Sequence, residues 1–296
     1  MKRLMVLLVV TALLVNGKTI NAQSIQDSKK KIGVVVTILP LADFVENIGK
    51  DKVDVSVMIP PGGNPHTYEP TPSQLKQVSQ AQMYVKVGSG VEFELAWMDK
   101  LASLNKNMLI CDSSEGIRLI EMTEHHHEEN EGHHRGRDPH IWLSPVNAML
   151  MVTSIKNALI EIDSGNKEFY THNAQEFILR LDNLNKEFGD KLSALKNRSF
   201  VVFHPAWGYF AADYGLKQIP IEVEGKEPTA KELTQLIKEA KKCNIKVVFS
   251  SPQFSKKSAE VIAKEINGKV VFMDPLAKNY IENLHKVVDA FTQSLK

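Results

Sequence analysis

Three histidines sit in proline-marked turns far apart in the chain: Asn64-Pro65-His66-Thr67-Tyr68-Glu69-Pro70, Asp138-Pro139-His140-Ile141-Trp142-Leu143-Ser144-Pro145 and Phe203-His204-Pro205-Ala206-Trp207. Between the first and the third lies a run of others, His125, His126, His127, His133 and His134. Imidazole is the commonest protein ligand for zinc-like metals, so the chemistry these residues could do together is to hold a metal ion. Any one of them alone would more often be a satisfied core or surface histidine. Three of them, each in a turn fixed by proline, read as ligands.

The elements that must position them are legible as two similar halves. Short β-branched runs at 32–38, 53–59, 83–87 and 108–111 alternate with helix-like segments, and a second set follows at 200–203, 218–223, 247–250 and 270–273, with helical patterns at 230–242 and 255–266. Four strands alternating with helices in each half predict an α/β fold of two lobes, each a four-stranded, mainly parallel sheet flanked by helices. His66 then falls after the second strand, His204 at the end of the fifth and Asp274 at the end of the last. In open α/β sheets ligands collect beyond the carboxyl ends of the strands. His140 precedes a helix start marked by Ser144 and Pro145, a cap and a first-turn proline.

Phe177, Leu181, Leu184, Phe188, Leu192 and Leu195 recur in steps of three and four without a proline, which predicts one long amphipathic helix. Its length, on the order of 40 Å, lets it run beside both lobes as a connector stiffer than a loop. The stretch 121–137 has no hydrophobic periodicity and is expected to be a loop whose histidines give it weak metal affinity. The expected organisation is a leader at 1–22, an N-terminal lobe at 31–163 that carries the loop 121–137, a linking helix at 166–196 and a C-terminal lobe at 199–296.

The chain has 296 residues, 43% hydrophobic and 24% charged, with a formal net charge of +1. That is an ordinary globular composition, and the charge gives no reason to expect a nucleic-acid partner. Met1-Lys2-Arg3, an apolar run from 4 to 15 and Ile20-Asn21-Ala22 describe a secretory signal peptide; the expectation is a soluble exported monomer held in a periplasm. Cys111 and Cys243 are the two cysteines, expected in different lobes and free. His172 and His285 are expected to be solvated, and Tyr84, Phe93 and Trp97 to pack the first lobe.

With Glu227-Pro228-Thr229 added, these stretches resemble the periplasmic substrate-binding proteins that deliver zinc or manganese to ABC transporters, the zinc branch in particular. The resemblance runs over essentially the whole mature chain. It implies that His66, His140 and His204 are ligands in a cleft between two lobes joined by a rigid helix, and that the partner is a membrane permease with a cytoplasmic ATPase. Manganese members of the family carry a carboxylate where His204 stands, and zinc members tend to have a His-rich loop; both features imply zinc, as does the chemistry of imidazole. Asp274 resembles the aspartate that closes the site in several members, and it reads equally as a strand-end residue capping the next turn. Pro65 excludes the variant in which a glutamate precedes the first histidine.

Glu69, Tyr68 and Trp207 are expected to support or shield the ligands. Two other readings stand beside zinc capture: a manganese or iron carrier of the same family, and a zinc hydrolase, since three histidines and a water also make a catalytic site. No His-Glu-x-x-His or Gly-x-Ser-x-Gly motif supports the hydrolase, and the expectation is that the chain is not an enzyme. An adhesin or a metal store on the same fold leaves no signature to read.

Overall fold

A computed structural model describes residues 31–122, 136–222, 229–243, 245–254 and 256–295. The leader at 1–22 and the histidines at 125–127 and 133–134 lie outside the described residues.

The first sheet is built from β1 (Ile32–Val36), β2 (Val53–Val57), β3 (Met83–Lys86) and β4 (Leu109–Asp112), in the spatial order β2-β1-β3-β4 with every pairing parallel. The second repeats it with β5 (Ser199–Val202), β6 (Lys217–Pro220), β7 (Val247–Ser250) and β8 (Lys269–Phe272), in the order β6-β5-β7-β8, again parallel. The central strands read as near-continuous apolar runs because helices cover both faces: Val34, Val35, Val36, Tyr84, Val85, Val201, Val202, Val248 and Phe249 are all buried. In each sheet the chain leaves the first strand toward one side and returns on the other, which opens a crevice at the carboxyl ends of β1 and β3, and of β5 and β7.

Helices α1 (Leu39–Gly49), α2 (Pro72–Gln80), α3 (Glu92–Leu104) and α4 (Pro145–Ile162) flank the first sheet; α6 (Gly208–Tyr214), α7 (Ala230–Lys242), α8 (Lys256–Glu265) and α9 (Tyr280–Ser294) follow in the second half. Their starts follow local chemistry. Thr71 and Gln74 form a capping box on α2, Thr229 and Glu232 another on α7, and the Ser144 hydroxyl accepts the Asn147 amide at the start of α4.

Between the halves runs α5 (Lys167–Ser193), 27 residues long, or about 40 Å. Its apolar stripe of Tyr170, Ala174, Phe177, Leu181, Leu184, Phe188 and Leu192 is fully buried, against α1 and α4 on one side and α6 and α9 on the other. The polar exception on that face, Asn173, donates to the Ile48 carbonyl at the end of α1 (2.9 Å). The helix is a spine as much as a bridge: one hydrophobic core runs from Val36 and Phe44 through Phe177 and Phe188 to Phe200, Phe249 and Phe291. Residues 31–296 accordingly form one compact unit. A second, smaller core of Val201, Ile219, Leu236, Ala240, Val248 and Ile262 seals the outer face of the second sheet.

Both cysteines are free, Cys111 buried on β4 and Cys243 half-buried after α7. Tyr84 and Phe93 are buried, and Trp97 packs against the same core. His172 is exposed on α5 near Glu176, whereas His285, expected to be solvated, is half-buried on α9, its ring edge-on to Phe188 at 5.3 Å and its Nδ1 3.6 Å from Glu187. No helix among the described residues is long and apolar enough to cross a membrane.

Candidate metal centre

His66 stands in the loop after β2. Asn64 bends that loop: its side-chain oxygen accepts the His66 amide (2.9 Å) and its carbonyl the Tyr68 amide (3.0 Å). The His66 Nδ1 meets Glu92 Oε1 at 2.9 Å. Glu92 opens α3, and the loop before it is pinned by a buried carboxylate, Glu94, which accepts from the Thr37 hydroxyl and from the Val87 and Gly88 amides at 2.6–2.9 Å.

His140 is held by the turn that contains it. Asp138, 1% exposed, accepts both the His140 amide (2.9 Å) and its Nδ1 (2.8 Å) on one oxygen, Oδ1. The backbone around the pair is tied to both halves: Ser89 donates to the Pro139 carbonyl (2.5 Å), Tyr209 to the Asp138 carbonyl (3.0 Å), and the Trp142 indole to the Pro275 carbonyl (2.7 Å). The other carboxylate oxygen of Asp138 lies against Gly208, where a Cβ would stand 2.2 Å from it. Only glycine lets α6 approach this closely.

His204 follows β5, and its Nδ1 meets Glu222 Oε2, just past β6, at 2.6 Å. Parallel pairing of β5 and β6 brings the two strand ends side by side. The ring is stacked on Phe254, with centroids 4.7 Å apart.

The three rings converge. Centroids are 4.9 Å apart for His66 and His204 and 5.1 Å for His140 and His204, close to the separation of about 5 Å that imidazoles sharing a tetrahedral zinc would have. His140 Nε2 and His204 Nε2 are 3.2 Å apart; two nitrogens each about 2.0–2.1 Å from such an ion would be about 3.4 Å apart. The rings border a cavity of about 20 Å³ shared with Glu92, Gln253, Phe254 and Leu276, room for an ion and about one water. Among the described residues no three His, Cys, Asp or Glu side chains already enclose a common point as a closed coordination shell would.

Electrostatics sharpen this. Burial drives the His204 pKa down to about 4, against the opposing pull of Glu222 and with help from the neighbouring histidines, so the ring is neutral at pH 7. Burial also pushes His66 downward, but the hydrogen bond and charge of Glu92, with Glu222 behind it, leave it above the ordinary histidine value. Glu92 itself is raised by burial and lowered more by His66, and ends below the usual carboxylate range.

Sequence reasoning placed the three histidines together but not their carboxylate partners. Asp138 was within reach, two residues before its histidine in the quoted motif; Glu92 and Glu222 carry no sequence signal, because only the fold brings them to His66 and His204. Of the expected supports, Tyr68 donates to Gln74 (3.0 Å), Glu69 is exposed, and Trp207 donates its amide to Gln218 (2.8 Å). None of the three borders the cavity. Asp274 stands one residue from the lining, its Oδ1 accepting from Gln253 Nε2 and the Leu276 amide, each at 2.9 Å. On either side of the segment that carries His125 to His134, Glu121 bridges Arg137, directly before Asp138.

Residues 34–294 match the family model of the periplasmic zinc-uptake complex component A, ZnuA. The chain belongs to this family. It is 34% identical over 291 residues to the high-affinity zinc uptake system protein ZnuA of Bacillus subtilis, covering 91% of this chain and 89% of that one. It is 33% identical to the zinc-binding protein AdcA of Streptococcus pyogenes over 83% of this chain but only 50% of AdcA, so it spans about half the length of that relative. A crystal structure of ZnuA superposes with a TM-score of 0.84 at 46% identity, covering 90% of this chain and all of that one. A zinc-bound deletion mutant of ZnuA gives 0.83 at 44% identity, over 90% and 99% of the two chains.

Proposed function

We propose that this chain captures one zinc ion between the Nε2 atoms of His66, His140 and His204 and delivers it to the membrane permease of an ABC-type uptake complex. One observation carries the reading. Each Nδ1 faces a carboxylate, to which it donates its proton, so each Nε2 bears a lone pair; two of these lone pairs face one another 3.2 Å apart. Two acceptors at that distance repel unless a proton or a metal cation lies between them, and the metal takes the place of the proton when it binds. Imidazole nitrogen without a ligand carboxylate favours zinc over manganese.

The role is transport of a bound ion and not turnover. The ion is cargo, and the cavity is of ionic size. In this reading a cleaved leader exports the protein from the cytoplasm, and it acts outside as a monomer with no nucleic-acid partner. The histidines at 125–127 and 133–134 supply an accessory weak capture site, on a segment flanked by the bridge of Glu121 with Arg137. Competitive titration of zinc against manganese tests the reading: one tight zinc per chain, undisturbed by excess manganese and lost in His66→Ala, His140→Ala or His204→Ala, is expected. Tight binding that survived all three changes would end it.

A further inference from the structure

Gln253, in the turn after β7, borders the same cavity as the three histidines. Its amide orientation is fixed by chemistry. Asp274 Oδ1 already accepts the Leu276 amide at 2.9 Å, so the group facing it from Gln253, 2.9 Å away, is the NH2 end. That leaves Gln253 Oε1 on the other side, buried and without a hydrogen-bond partner among the described residues. Buried acceptors are nearly always paired, and one that is not asks for a missing donor. Three imidazoles leave one position of a tetrahedral zinc to a water, and a water bound to zinc is a strong hydrogen-bond donor because the ion withdraws charge from it.

We propose that Gln253 Oε1 accepts a hydrogen bond from the water in the fourth coordination position, and that Asp274 is a positioning residue acting through Gln253 and not itself a ligand. The proposal rests on the reading of the cleft as a zinc site. With a neutral amide behind the water, the fourth position stays exchangeable, as suits a carrier that must give its cargo up; a directly bound carboxylate would add charge and hold the ion more firmly.

The test compares Gln253→Met, Gln253→Glu, Asp274→Ala and Gln253→Met/Asp274→Ala with the unaltered protein, by zinc competition against a chromophoric chelator, visible spectra of the cobalt(II) forms, and thermal melting without metal. Gln253→Met should weaken zinc binding by about 10- to 100-fold without lowering the metal-free melting temperature, while Gln253→Glu, which keeps an acceptor, binds at least tenfold more tightly than Gln253→Met. Asp274→Ala should keep the four-coordinate cobalt spectrum and match Gln253→Met, and the double variant should lose little more, as expected for residues in one chain of contacts. Zinc affinity unchanged in Gln253→Met, or a cobalt spectrum that collapses in Asp274→Ala and persists in Gln253→Met, would overturn the proposal. Neither result touches the zinc reading, which fails only if the unaltered protein lacks a tight site or keeps it without the histidines.

Discussion

Each histidine of the cleft turns its Nδ1 to a carboxylate, but the three pairs differ in solvent access: Asp138 is 1% exposed and Glu222 7%, whereas Glu92 is 46% exposed. His66 and His204 differ also in how firmly each holds a proton. Binding requires neutral imidazole, and a raised pKa means a proton held more tightly, so affinity falls as pH drops through the His66 pKa, which lies above the ordinary value. His204, at about 4, stays neutral through that range. Zinc affinity measured against pH should therefore begin to fall on the basic side of pH 6.5, by up to about tenfold per unit for one competing proton, and Glu92→Gln should move that onset to lower pH. Glu222→Gln, which loosens the His204 ring without removing it, should lower zinc affinity by about 10- to 100-fold in a chelator competition.

At the scale of elements, the turns are placed by close approaches that small changes would break. Gly208→Ala puts a Cβ 2.2 Å from the Asp138 carboxylate, which must move and take the His140 ring with it. Zinc affinity should fall at least tenfold while the far-ultraviolet circular dichroism stays unchanged. The spine helix α5 answers differently. Leu181 is fully buried at its centre, and Leu181→Ala should cost about 2–5 kcal/mol of stability, read as a lower denaturant midpoint for the metal-free protein. Helix α5 was legible because Phe177, Leu181, Leu184, Phe188 and Leu192 keep one period, with Leu195 just past its end, and the strands because β-branched runs mark them. Their ends were less so: β6 was expected at 218–223 and ends at Pro220, where the chain turns to aim Glu222 at His204.

Across the molecule, two sheets with the same strand order turn their carboxyl ends to one cavity, and a shared core holds them there. Zinc that binds only this assembled state stabilises it by mass action, by about 2.7 kcal/mol at a free concentration one hundred times the dissociation constant. Melting followed with added zinc and then with a chelator should rise and return reversibly. Deletion of 124–134 should reduce total zinc bound per chain while one tight site and its thermal shift remain, because none of the three cleft histidines lies in that segment and Glu121 is already bridged to Arg137 at its flanks.

The amino-acid sequence by itself determined the α/β class, the paired halves, the long helix and the three histidines, because each is written in local periodicity or in a short motif that needs no distant partner. Tertiary structure decided what surrounds them. Glu92 and Gln253 come to the cavity, and Glu222 to His204 behind it, from segments remote in sequence, and Asp274 meets Gln253 only because β7 and β8 lie side by side. Ligands can be read from residue type, whereas the groups that orient a ligand depend on which strand ends the fold makes neighbours.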